Sequence, residues 1–200
     1  MSFVFENFNF EVVPIIKISK ASKAQNITDI SPLHATWVNK SSKKIKDEIR
    51  LAKQFCIVQN VYGAESYISG FSGYVLEILT TRYGSFKKLL QASQRWQIKD
   101  VIDYAKHYKK DALFQMNQSK LQSPLIVVDP VDKDRNAAAA LSIEKFSVFK
   151  KSAKNYLKNP NQSFFVIKKP EFSELSKTKQ NLIFLEIQPL TGKDDVIGFK

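Results

Sequence analysis

From residue 32 to residue 158 the chain reads mostly as helix, and a strand-like run stands on either side of that block. Helices must bury an apolar stripe and strands must find neighbours, because an isolated strand is not stable in water. The first run, Phe8 to Ile18, is rich in β-branched residues with partial alternation. Pro14 cannot donate to a ladder, so this strand is expected at a sheet edge or bent there. The second run is Asn181 to Pro189. Both strands need partners from elsewhere, which implies a helical domain between pieces of two others. The expectation is an α+β fold divided at 1–30, 31–160 and 161–200, with the central part mostly helical.

Within the block the boundaries have chemical reasons. Ser31-Pro32 suggests a cap followed by proline at the first helical position, opening a helix from Pro32 to Lys44. A second helix, Ile45 to Gln59, carries Ile45, Ile49, Ala52 and Cys56 on one face. A third lies within residues 70–83, with Gly84 to end it and Ser85 to cap the next helix over 86–95. Two short strands, near Val101 to Asp103 and Pro124 to Asp129, flank a polar insertion over 104–123. The last helix is expected over 137–158, from an alanine-rich start to Asn159-Pro160, with Ile143, Phe146, Phe149, Ala153 and Leu157 as its apolar stripe. Antiparallel packing of the first two helices would bring the start of the first near the end of the second.

Composition excludes several function classes. At 44% hydrophobic and 12% aromatic the chain is a folded protein, and no apolar run reaches the ~20 residues of a membrane helix. Its first residues show no basic region followed by an apolar core, so no signal peptide is expected. The single cysteine, Cys56, allows no internal disulfide and points to a reducing cytoplasm. One cysteine and two histidines argue against zinc. The excess of 31 Lys plus Arg over 19 Asp plus Glu, a net +12, favours a polyanionic partner over mere solubility.

Taken singly, the polar residues have ordinary explanations. Glu11 on an apolar strand is most simply solvent-facing, although a carboxylate there also suits a hard divalent cation. His34 at a helix start is commonly structural, yet helix starts also attract phosphates. Lys53 would ordinarily snorkel to solvent, and its ammonium equally suits a triphosphate. Tyr62, beside Gly63, can pack or offer its ring to a base. Arg135, in a charged loop before four alanines, can reach planar or phosphate groups in bidentate fashion.

Seven pieces in order go further: Glu11-Val-Val-Pro14, Ser31-Pro-Leu-His34, Glu48-Ile-Arg-Leu-Ala-Lys53, Tyr62-Gly-Ala-Glu65, Gly70-Phe-Ser-Gly-Tyr74, Tyr83-Gly-Ser-Phe86 and the run from Asp129 to Ser142. Together they resemble class I, archaeal-type CCA-adding tRNA nucleotidyltransferases, and less closely poly(A) polymerases. The resemblance covers about residues 8 to 168. It implies that the first strand is an edge strand of a nucleotidyltransferase head sheet, with Glu11 as a catalytic, metal-binding carboxylate where the family usually has Asp. It implies that His34, Lys53 and Tyr62 hold incoming CTP or ATP, and that Arg135 helps read the base. The implied chemistry is attack of a tRNA 3'-hydroxyl on an α-phosphate, with Mg2+ as the metal.

Departures from the family are equally specific. Its Gly-Ser followed by Asp-x-Asp is missing here: Gly84-Ser85 precedes only the distant Asp100 and Asp103, and Asp132-Lys-Asp134 lies in another loop. The expectation is therefore a subunit or fragment cut at both ends, with a separate chain supplying the head and another supplying the tail. The competing readings are a non-catalytic RNA-binding scaffold remnant and part of a poly(A)-polymerase-like enzyme.

Overall fold

A computed structural model describes residues 2–6, 8–108 and 111–167 of the chain. The first element is a hairpin, β1 (Ser2–Phe5) against β2 (Phe8–Glu11), paired antiparallel with Phe3 opposite Phe10 and Phe5 opposite Phe8. Two expectations change here. The strand ends at Glu11 instead of Ile18, and its partner is the segment just before it. Directly opposed residues share a face, so Phe3, Phe5, Phe8 and Phe10 lie on one side and Ser2, Val4, Asn9 and Glu11 on the other. Every residue of both strands is exposed. The strand expected near 181–189 lies outside the described residues.

From Pro14 the chain runs without regular structure to two short 3-10 turns, Ala21–Lys23 and Ile27–Ile30. Asp29 fixes this stretch. Its carboxylate accepts from the backbone N–H groups of Ile16, Gln25 and Asn26, and those bonds hold its pKa below the ordinary value.

Four helices follow: α1 (Ser31–Ser41), α2 (Lys46–Val58), α3 (Gly73–Tyr83) and α4 (Phe86–Ser93). The apolar spacing of α2 buries Ile49, Ala52, Phe55 and Cys56. The Ser72 side chain accepts from Val75 N–H, which starts α3 at Gly73 and not at residue 70. Gly84 ends α3 in the left-handed region, φ 82°, where a side chain would be strained. Ser85 then caps α4 by accepting from Lys88 N–H. Both α1 and α2 pack on α3, so α3 joins them where direct antiparallel packing was expected.

The two inner strands, β3 (Asp100–Asp103) and β4 (Leu125–Val128), pair in parallel, and all four residues of β4 are buried. Between them the polar insertion forms one short helix, α5 (Ala112–Gln115), and a 3-10 turn, Gln118–Leu121. The alanine run does not begin a helix. Asn136 Oδ1 accepts from the N–H groups of Val127 and Ala138, and Ser142 caps the helix that follows, α6 (Ile143–Lys158). Side-chain bonds at both ends of the run override the helix propensity of alanine. Phe146, Phe149 and Ala153 of the predicted stripe are buried, whereas Ile143, on the first turn, is 53% exposed.

The core is aromatic. Phe55 of α2 is fully buried and its ring meets those of Phe86, Phe149, Tyr156, Phe164 and Phe165, drawing α4, α6 and the last 3-10 turn (Gln162–Phe165) onto α2. Burying one such ring is worth roughly 1.5–3 kcal/mol. The first turns of α1 and α3 lie beside the loop that leaves β4, where His34 and Tyr74 bond Asp129.

Candidate nucleotide-binding site

β4 is four aliphatic residues followed directly by a carboxylate, Asp129, which has no solvent exposure. The loop after it doubles back: Asp129 N–H donates to Arg135 C=O and Ala137 N–H to Val127 C=O. Asn136 is pinned as well, donating from Nδ2 to Lys120 C=O and to Ser123 Oγ. Arg135 therefore leaves a fixed backbone.

Asp129 gathers side chains from three places. Its Oδ2 accepts from His34 Nε2 at 2.9 Å and from Arg135 Nη1 at 2.7 Å. Its Oδ1 accepts from the Tyr74 hydroxyl at 2.9 Å and from Val131 N–H at 2.9 Å. Burial by itself would raise the pKa of this carboxyl, but the bonds from His34, Val131 and Arg135 outweigh it and hold it below the ordinary value. Tyr74 moves the other way: burial and the adjacent Asp129 charge push its phenol far above normal, so it remains a donor. The rings enforce the same arrangement, with His34 and Tyr74 centroids 4.2 Å apart and Arg135 Cζ 6.0 Å from the Tyr74 centroid.

Beside this cluster is a cavity of about 370 Å3 lined by Ser31, His34, Ala35, Val38, Asn39, Tyr74 and Glu77. Glu77, one turn beyond Tyr74 on α3, accepts from Lys53 Nζ of α2 at 2.6 Å. Tyr62 reaches the same place from the segment after α2. A Cβ added to Gly73 would stand 2.9 Å from the Tyr62 hydroxyl and 3.5 Å from Lys53 Nζ. Glycine at the start of α3 thus leaves room for both side chains.

The fold accordingly brings His34, Tyr74, Asp129 and Arg135 into one hydrogen-bonded group, and sets the Lys53–Glu77 pair and Tyr62 beside it. Lys53 does not snorkel freely, since its ammonium is half-buried against Glu77. Glu11 is not with them. It is exposed on the polar face of the hairpin, and among the described residues no group of three or more His, Cys, Asp or Glu is placed to hold a metal. No described helix is long and apolar enough to cross a membrane.

Sequence reasoning missed Asp129, Tyr74 and Glu77 as participants. An acid placed directly after four buried aliphatics was a signal for the first, and the spacing of Tyr74 and Glu77 on one helical face was a signal for the others.

Residues 47–166, which supply Lys53, Tyr62, Tyr74, Glu77, Asp129 and Arg135, match the family described as tRNA nucleotidyltransferase, second domain. The chain belongs to that family. Curated relatives agree with the assignment. A CCA-adding enzyme of Nanoarchaeum equitans is 38% identical over 198 residues, covering 94% of this chain and 50% of the relative. One from Methanosarcina barkeri is 37% identical over 165 residues, 82% of this chain and 34% of the relative. One from Pyrococcus abyssi is 34% identical over 201 residues, 97% of this chain and 45% of the relative. The chain thus spans half or less of the length of these three, and the part it shares with them includes the second domain.

Proposed function

We propose that this chain is the nucleotide-pocket part of a CCA-adding tRNA nucleotidyltransferase, which transfers CMP and AMP from CTP and ATP to the tRNA 3' end. The observation that carries this reading is the convergence of His34, Tyr74 and Arg135 on Asp129 beside Lys53 and Tyr62, within a second domain of that family. Each residue has a role consistent with its chemistry. Lys53 keeps two ammonium hydrogens free of Glu77 for a triphosphate. Tyr62 offers a ring and hydroxyl next to it. His34 addresses the sugar or phosphates, and Arg135 retains guanidinium donors beyond the one on Asp129 for the base and the tRNA backbone.

The division proposed with this reading is a head piece over 1–30, the nucleotide and tRNA-binding domain over 31–160, and the start of a tail over 161–200. Magnesium fits the chain only in part. Glu11 is an exposed oxygen donor of the right hardness, but one carboxylate does not make a two-metal centre. When bound, such ions would stabilise charge on the transferred phosphate and on the leaving pyrophosphate. The remaining carboxylates would come from a head bearing Gly-Ser and Asp-x-Asp, supplied by a partner chain in the cytoplasm.

The hairpin supports that partner. It presents Phe3, Phe5, Phe8 and Phe10 on one face at 42–68% exposure, with Glu11 on the other. An apolar layer of the head covering the phenylalanines would leave the Glu11 face open to the reaction.

Reconstitution tests the reading. The chain alone should add no nucleotide, and mixing it with a head fragment should restore CTP and ATP transfer to tRNA lacking its 3' end. Transfer by the chain alone, or none with the head present, would overturn the assignment. Because the net charge is +12, tRNA binding should also weaken steeply between low and moderate salt.

A further inference from the structure

Asp129 poses an energetic question. A carboxylate with no solvent exposure carries a desolvation penalty of several kcal/mol, and well-packed apolar residues often replace buried ion pairs with no loss of stability. Packing alone therefore does not account for it. What an apolar residue could not do is hold four donors at once: His34 from the first turn of α1, Tyr74 from the first turn of α3, and Arg135 and Val131 from its own loop. His34 and Arg135 bond the same oxygen, Oδ2.

We infer that Asp129 is the positioning residue of the pocket, fixing the His34 ring and the Arg135 guanidinium on one oxygen so that the sugar-phosphate end and the base of one nucleoside triphosphate meet them in a set relation. This rests on the function proposed above. An ionised carboxylate only accepts, so His34 must carry its proton on Nε2, and Nδ1 is left to face a ligand. With Nη1 on Asp129, the other guanidinium donors of Arg135 point elsewhere. The pKa of Asp129 agrees, being held down despite burial, so the acceptor state persists at neutral pH. Tyr74 completes the brace, with its hydroxyl on Oδ1 and its ring 4.2 Å from that of His34. Neither Asp129 nor Tyr74 need touch the nucleotide.

The test uses the whole chain with 15N-labelled histidine, the His34 signal being separated from His107 by a His107→Gln variant. In the unsubstituted chain His34 should show a single tautomer, protonated on Nε2. Asp129→Asn preserves shape but cannot accept through both atoms, and Asp129→Ala removes the acceptor; both should give mixed tautomers. Titrated CTP and ATP should each bind about tenfold more weakly to Asp129→Asn, the size expected for misplacing one charge-assisted contact. Arg135→Ala should cost much less in the Asp129→Asn background than alone, because the two residues act as one unit. A folded Asp129→Asn chain that keeps the single His34 tautomer and full nucleotide affinity would overturn the inference. If the unsubstituted chain binds neither nucleotide, the proposed function falls, while the His34 signal still decides whether Asp129 holds the ring.

Discussion

Around Asp129, side chains from two helices and a loop converge on a carboxylate that water does not reach, and each has a second contact to hold it. At the β1–β2 hairpin, Glu11 sits on a four-residue strand with every residue exposed, and four phenylalanines face outward. Both regions carry residues proposed for one active site, yet they are built in opposite ways. The pocket region is over-determined, since removing any one contact leaves others in place. The hairpin is under-determined, as two strands alone are marginal without a surface to cover one face. On the proposed function, the nucleotide side of the chemistry is preassembled around Asp129 and the metal side needs carboxylates beyond Glu11.

If that contrast is right, the larger effect of a single substitution between these two regions falls on Asp129. Asp129→Ala leaves Arg135 charged and half-buried, His34 without its acceptor and the Tyr74 hydroxyl unpaired. Breaking a buried charged network in this way costs roughly 3–5 kcal/mol. Urea denaturation of the two chains measures it. A loss under about 1 kcal/mol would mean that the cluster is not the rigid region described, since surface changes already reach half of that.

Lys53 should give the next largest effect, on binding. With the head present, Lys53→Ala should weaken CTP and ATP equally, by about 1.5–3 kcal/mol, the range for a hydrogen bond to a charged group. Equality is the sharp part, because the triphosphate is common to both. Arg135→Ala should instead disturb the choice between C and A. Calorimetric titrations that show Lys53→Ala weakening only one nucleotide would place the ammonium at the base.

Much of the helical frame was legible because its signals are local. The stripe of α2, the Ser85 cap and the Gly84 stop depend on residues within a turn or two of one another. The start of α6 misled because four alanines favour a helix in isolation, while Asn136 and Ser142 supply side-chain bonds that residue propensities do not register. The β1 partner was missed because Ser2–Phe5 is short and adjoins a run already read as one strand. The site was legible in its residues more than in its wiring. His34, Lys53, Tyr62 and Arg135 stood out by chemistry and resemblance, but Asp129 meets His34 across 95 positions and Tyr74 across 55, separations that no local pattern encodes.

Acid sharpens the comparison in a graded way. The folded pKa of Asp129 lies below its ordinary 3.8, so its contribution is fully present above that value and disappears as pH falls through the folded pKa. The stability gap between the unsubstituted chain and Asp129→Asn should therefore be flat from neutral pH to about 5 and close below 3.8. Denaturation midpoints at stepped pH report it. A gap that closes already between pH 7 and 5 would assign the titration to another group.

The smallest effect is expected at the hairpin, where it is most informative. Phe8 is 68% exposed, with Phe5 opposite it on the same open face. Removing such a ring takes almost no buried area from the folded chain, so Phe8→Ser should change stability by no more than about 0.5 kcal/mol, the usual range for surface positions. A core ring behaves differently: Phe55, with no exposure, should cost roughly 3–5 kcal/mol when cut to Ala. The prediction is conditional on what covers the hairpin. In the chain alone Phe8→Ser is nearly silent. In the chain with a catalytic head, the same change removes apolar area from the interface and should weaken assembly, read as a higher head concentration needed for half-maximal transfer. Should Phe8→Ser leave that concentration unchanged as well, the phenylalanine face is not where the head binds, and Glu11 would have to reach the metals by another route. Should it instead destabilise the isolated chain by more than 1 kcal/mol, the hairpin is packed in solution and the contrast between the two regions fails.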